Sequence, residues 1–218
     1  MNNIRIDIVS DIVCPWCVIG YKRLERVLNS HSSHIKADIH WHPFELNPAM
    51  PIQGQNLREH LAEKYDTTRE ASTLARKTLT QLGQEVDFEF QFFDEMRIFN
   101  TRKAHQLLLW AQDQDKQSLL MTLLFQAYFT QRQDISNPET LIGLAQSIGL
   151  DLDTAQHVLL DESWANTVLA TERQWLDAGI QAVPAFILNQ KHLISGAQTE
   201  AILTRAICEI TKQESWPK

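Results

Sequence analysis

The chain has 218 residues, 44% of them hydrophobic, enough for one domain or one domain carrying a large insertion. Its 20 Lys and Arg against 27 Asp and Glu leave a net charge of −7, which excludes the basic footprint of a nucleic-acid or anionic-membrane binder. No run approaches the roughly eighteen apolar residues of a membrane span, and three cysteines with one close pair do not make a structural disulfide framework.

Residues 4–9 read as a strand, and no signal peptide is expected ahead of them. A short loop, Ser10-Asp11-Ile12-Val13, leads to Cys14-Pro15-Trp16-Cys17 and a helix-period stripe of Cys17, Gly20, Tyr21, Leu24, Val27 and Leu28. Pro15 suits the first helical position, which makes Cys14 the N-cap. The Cys14 sulfur is then expected to accept hydrogen bonds from the backbone N–H of Trp16 or Cys17. Those bonds and the helix dipole favour a thiolate, so the Cys14 pKa is expected below the free value of about 8.5. Cys17, one turn inward, is within disulfide reach. An activated, exposed thiol above a second one is the layout for thiol–disulfide exchange.

Residues 35–41 alternate as a second strand, which completes a βαβ unit, and residues 42–48 then break regular structure twice. From about residue 56 to 149 the pattern is helical. Asn56 with Glu59 and Thr67 with Glu70 read as helix starts. Ala71, Leu74, Ala75, Leu79 and Leu82 form an apolar face ending at Gly83. An aromatic cluster (Phe88, Phe90, Phe92, Phe93) follows. Further helices open at Asn100-Thr101, around Leu119, at Asn137-Pro138 and at Asp151 or Asp153. A long amphipathic helix with Trp164, Val168, Thr171 and Trp175 stops at Gly179. Residues 185–188 and 192–195 form a hairpin about Asn189-Gln190-Lys191, and a last helix carries Ile202, Leu203, Ala206, Ile207 and Ile210. The order predicts an α/β thioredoxin fold interrupted by an all-helical insertion. Residues 1–48 and 163–218 form the thioredoxin part and 49–162 the insertion.

Cys14-Pro15-Trp16-Cys17 on a βαβ start, the helical insertion and Val183-Pro184 resemble the DsbA-type thioredoxin-fold disulfide oxidoreductases. Ser10-Asp11, Gly20, the segment of Trp41, Pro43, Phe44, Leu46 and Pro48, Asn100-Thr101 with Ala104-His105, and Ser195-Gly196-Ala197-Gln198 resemble the FrnE-like cytoplasmic branch. The resemblance implies a cis bond at Val183–Pro184 lying against the cysteines, with the Val183 backbone pairing with a substrate strand. It also implies that Trp16 faces solvent as a substrate contact, with Pro15 and Asp11 supporting the site. Two departures stand out. Thioredoxin and DsbA carry a carboxylate six residues before the nucleophile, where this chain has Ile8; Asp7 points to the opposite face, so water or Asp11 would take the Cys17 proton. DsbA proper has a histidine beside its second cysteine, where this chain has Trp16.

The expected function is cytoplasmic exchange, reduction or isomerisation of protein or small-molecule disulfides, with no cofactor beyond glutathione as a co-substrate. No metal is expected, because structural zinc needs four ligands and only Cys208 remains. The rivals are a glutathione-dependent isomerase or transferase of the hydroxychromene-carboxylate or kappa class, which carries serine at the place of Cys14, and a chaperone-like binding module. His40 and His42 lie two apart on a strand and lack a third ligand. His105 reads as a structural histidine and Cys208 as a spare thiol of partial exposure.

Overall fold

The computed structural model describes residues 2–214. In chain order the elements are β1 (Asn2–Ser10), α1 (Pro15–Ser30), β2 (Ile35–Pro43), β3 (Gln55–Asn56), α2 (Leu57–Tyr65), α3 (Arg69–Glu85), β4 (Arg97–Ile98) and α4 (Arg102–Gln112). There follow α5 (Gln117–Phe129), α6 (Pro138–Ser147), α7 (Leu152–Leu160), α8 (Glu162–Asp177), β5 (Ala185–Leu188), β6 (His192–Ser195) and α9 (Glu200–Glu214).

The main sheet has the order β2-β1-β5-β6. β1 runs parallel to β2, pairing Ile4, Ile6 and Ile8 with Ala37, Ile39 and Trp41, and antiparallel to β5. The return from β1 to a parallel β2 needs a crossover, and α1 supplies it. β1 is buried on both faces. Ile4, Ile6 and Ile8 join the α1 stripe of Cys17, Tyr21, Leu24 and Val27, while Val9 packs with Phe44, Ile180, Ala185 and Ile187. The strand still alternates: Ile4, Ile6 and Ile8 face α1, while Arg5 and Asp7 lie on the other side, where the buried Asp7 carboxylate is hydrogen-bonded to Arg5 and His42.

β2 is an edge strand of this sheet, and the helical segment closes part of it. The Gln117 carboxamide accepts from the Trp41 N–H at 2.8 Å and donates to the Trp41 carbonyl at 2.9 Å, much as a neighbouring strand would. The Trp41 indole donates to Ser118 Oγ at 2.9 Å and packs edge-on against Tyr21. One buried core therefore runs from Ile4 through Trp41 to Leu107 and Phe125.

Several local expectations shift. Thr68, not Thr67, caps α3, accepting from the Ala71 N–H. Gly83 lies inside α3 and does not end it: a Cβ there would stand 2.5 Å from the Phe90 ring and 2.6 Å from the Phe88 carbonyl, so the glycine admits the aromatic segment against the helix. The buried face of α3 is Ser72, Arg76, Leu79 and Gly83, and Leu74 is 66% exposed. Leu119 is exposed as well. The two-residue ladder of β3 with β4 has no counterpart in the sequence reading. Asn56 and Asp151 cap α2 and α7 through their side chains.

Candidate active site

Cys14 is the N-cap of α1, with φ −91° and ψ 109°, and Pro15 follows at the helix start. The Cys14 N–H donates to the Asp11 carbonyl (3.1 Å), and the Cys14 carbonyl accepts from the Cys17 N–H (3.0 Å). The sulfur, contrary to expectation, makes no capping hydrogen bond. Its partner is the Val183 carbonyl, 3.9 Å away. A thiol is a weak donor, and a carbonyl can take its proton where a helix N–H cannot.

The two sulfurs differ in environment. Cys14 is 5% exposed and lines a cavity, so it shows solvent only an edge, less than the sequence reading assumed. Cys17 lies beneath it at 1%. Burial pushes the Cys17 thiol well above its ordinary pKa, and the Cys14 sulfur pushes the same way; the Ser10 hydroxyl and the Asp11 backbone N–H oppose them. Cys14, Cys17 and Cys208 are all free thiols, and Cys208 is partly exposed on α9.

The Val183–Pro184 peptide is cis. A Cβ on Gly20 would stand 3.1 Å from both Pro184 Cγ and the Phe186 ring, so a glycine in α1 lets the helix approach this segment. Val183 precedes the β5 ladder, which begins at Ala185, and it lines the cavity beside Cys14. Trp16, 44% exposed, stands at the rim of the cavity, as does Tyr65 of α2.

Asp11 is wholly buried. Its carboxylate accepts from the Leu46 N–H at 2.8 Å, and its other oxygen stands 3.5 Å from His105 Nε2 without a hydrogen bond. No hydrogen bond joins this carboxylate to either sulfur among the described residues. Asp11 thus fixes the 44–47 loop against the cysteine turn, and a bidentate Arg102–Glu45 pair, at 2.9 and 3.0 Å, ties the same loop to α4. His105, read from sequence as a structural histidine, sits with Asp11 in the same buried polar group. Nothing in the sequence joins the two, because only the fold brings α4 beneath the cysteine turn.

Ile8 is buried on β1, and Asp7 faces the other way. Burial raises the Asp7 pKa, but hydrogen bonds from His42 (2.8 Å) and Arg5 (2.7 and 2.9 Å) more than offset this and hold it down at about 2. A carboxylate depressed in the folded state stabilises it above the unfolded pKa, and that contribution is lost as pH falls. We expect about 2 kcal/mol to disappear between about pH 4 and pH 2. Urea unfolding across that range should show it, with Asp7→Asn flattening the decline; an unchanged slope in the variant would remove the assignment.

His40 and His42 do not converge. His40 bonds Asp38 and Gln112, and His42 bonds Asp7. Among the described residues no group of three His, Cys, Asp or Glu side chains is placed to hold a metal ion, and no helix is long and apolar enough to cross a membrane.

The cavity beside Cys14 has a volume of roughly 390 Å³ and lies between the Val13–Trp16 turn and Val183 on one side and α2 and α3 on the other. A larger hollow of roughly 490 Å³ at the far ends of β1 and β2, among Asn3, Lys36 and Asn189, holds neither cysteine. The site of interest is therefore the smaller one.

The DSBA-like thioredoxin domain model matches residues 5–207. A curated relative, the uncharacterized protein YwbO of Bacillus subtilis (strain 168), is 26% identical over 212 residues, 97% of this chain and 99% of that protein. The crystal structure of a probable DsbA oxidoreductase, SCO1869 from Streptomyces coelicolor, superposes with a TM-score of 0.88 at 27% identity, covering 99% of this chain and 92% of that one. A 2-hydroxychromene-2-carboxylate isomerase superposes with a TM-score of 0.73 at 13% identity, covering 97% and 98%.

Proposed function

The chain belongs to the DSBA-like thioredoxin domain family, and from that premise we propose that it is a thiol–disulfide oxidoreductase working through Cys14 and Cys17. The fold alone does not choose this, since an isomerase shares it. The observation that carries the reading is the stacked free dithiol at the start of α1, with Cys14 lining an accessible cavity and Cys17 desolvated below it.

In the proposed reaction the Cys14 thiolate attacks one sulfur of a substrate disulfide and releases the other as a thiolate. That leaving group takes up a proton. While Cys14 carries charge, it helps to hold the proton on Cys17; the mixed disulfide removes that charge and eases Cys17 deprotonation. The Cys17 thiolate then attacks the Cys14 sulfur and expels the second substrate thiol. The substrate has gained two electrons and two protons, and the protein holds a Cys14–Cys17 disulfide. A cellular thiol such as glutathione reverses that disulfide by the same two steps. Val183, with no ladder partner, would pair with an extended substrate segment, and Trp16 would give an apolar contact. We assign the work to a reducing compartment, the cytoplasm, on the grounds of cysteine usage.

The test is selective alkylation of Cys14, followed by disulfide exchange on a small disulfide and aggregation suppression on an unfolded protein. Exchange should vanish. Exchange that survives would reject the redox reading, and suppression that survives alone would favour a chaperone.

A further inference from the structure

The far wall of the Cys14 cavity carries a buried cation, two of whose nitrogens have no hydrogen-bond partner among the described residues. Arg76, on the inward face of α3, is 9% exposed. Its Nη1 donates to the Phe93 carbonyl at 2.9 Å. Its Nε and Nη2 are buried and have no hydrogen-bond partner among the described residues, and neither has Ser72 Oγ, one turn earlier on the same wall. Nε and Nη2 form the side edge of the guanidinium, one of the two forks that match a carboxylate with two parallel hydrogen bonds. Leaving buried donors unmet costs on the order of 1–3 kcal/mol, more for a charged group, so a retained pair of this kind calls for an explanation.

The charge balance agrees. Asp94 is the carboxylate near Arg76, at 3.8 Å, and it is shared with Arg58 at 2.7 Å and Arg69 at 3.9 Å. One carboxylate therefore faces three guanidiniums, in a chain whose net charge is −7. Burial, and then the charge of Arg58, push the Arg76 pKa down, as befits a cation short of counter-charge. The remaining polar groups of the cavity do not supply that charge: Asn47 and His60 are hydrogen-bonded to each other, and Tyr128 donates to the Arg97 carbonyl.

We propose that Arg76, assisted by Ser72, binds a carboxylate of a low-molecular-weight disulfide whose reacting sulfur lies at Cys14. This deepens the oxidoreductase reading and rests on it, since the same cavity must hold the sulfur being attacked. The volume, roughly 390 Å³, fits a small molecule, and the buried position of the fork suits a ligand that enters the cavity more than a protein surface laid across its mouth.

The test uses two probes of similar length, 3,3′-dithiodipropionate and bis(2-hydroxyethyl) disulfide. The wild type should prefer the dicarboxylate by at least tenfold in kcat/KM. Arg76→Met should lower the ratio of the two kcat/KM values by about tenfold or more, mainly through KM for the dicarboxylate. Arg76→Lys, which keeps charge but loses the fork, should fall between them and guards against a folding defect. Losses that are equal on both probes in both variants would overturn the proposal, as would an unchanged ratio. A third probe separates this claim from the redox one: 3,3′-thiodipropionate, which has no disulfide, should bind the wild type in calorimetry and lose most of that binding in Arg76→Met. If neither disulfide turns over but that Arg76-dependent binding is present, the oxidoreductase reading fails and the carboxylate site stands. If disulfides turn over and the thioether binds both forms alike, the carboxylate site fails alone.

Discussion

Replacing Cys17 with alanine is expected to turn the protein into a trap that accumulates mixed disulfides through Cys14, whereas Cys14→Ala should trap nothing. With no external thiol present, dithiol turnover should be lost in both variants, since one lacks the attacking thiolate and the other the resolving one. The trap is read without glutathione, which would resolve the Cys14 mixed disulfide in place of Cys17. The order of the two follows from burial. Cys14 lines the cavity, and its sulfur faces the Val183 carbonyl. Cys17 is sealed beneath at 1% exposure, its thiol pushed up in pKa first by burial and then by Cys14. A substrate disulfide can reach the first sulfur and cannot reach the second without passing it. Acid-quenched samples read by intact mass would show the adduct on the Cys17→Ala protein. An adduct on Cys14→Ala instead would reverse the assignment.

The parts of this site that could be read in the sequence are those set by local rules. Cys14, Pro15 and Cys17 announce a helix start by position alone, and the i, i+3, i+4 stripe behind them fixes which sulfur points inward. The hairpin of β5 and β6 was marked by its turn residues, and Asn189 and Gln190 do take positive φ. What was not legible depends on burial by distant elements. Hydrophobic spacing in α3 selects Ala71, Leu74, Ala75, Leu79 and Leu82; Leu79 and Leu82 do pack on the core, yet the first three are exposed and Ser72, Arg76 and Gly83 face inward. The reason is that α3 covers the aromatic segment at Gly83 and walls a cavity at Arg76, so its inner face serves close approach and polarity as well as packing. Asp11 and His105 are likewise ordinary residues of a loop and a helix until α4 is laid under the cysteine turn. The cap expectation failed for a chemical reason: a neutral sulfur donates, and the Val183 carbonyl was there to accept.

The same geometry bears on the direction of exchange, and the midpoint potential is expected near the thioredoxin value of about −270 mV and well below the DsbA value of about −120 mV. Stabilising the reduced dithiol makes its disulfide a stronger oxidant, and stabilising the Cys14 thiolate is the main means of doing so. Here two aids to that thiolate are missing. The sulfur receives no hydrogen bond at the helix cap, and Trp16, an uncharged and half-exposed indole, stands where DsbA has a histidine. A third contact works against the thiolate, since the Val183 carbonyl beside Cys14 Sγ accepts from a thiol and repels its anion. The helix dipole remains and keeps some stabilisation in place. The gap between the two reference values is about 150 mV, or about 7 kcal/mol for a two-electron couple, so the outcomes are easily told apart. At about −270 mV the dithiol would sit at or below a glutathione poise of about −240 mV and act as a reductant or isomerase. Equilibration in glutathione buffers, with tryptophan fluorescence as the signal, measures the potential directly. Trp16→His should raise it, by at least about 30 mV if a new hydrogen bond to the thiolate is worth about 1.4 kcal/mol. A wild-type value at or above about −120 mV, or a Trp16→His value no higher than the wild type, would show that the residue between the cysteines does not set the direction here.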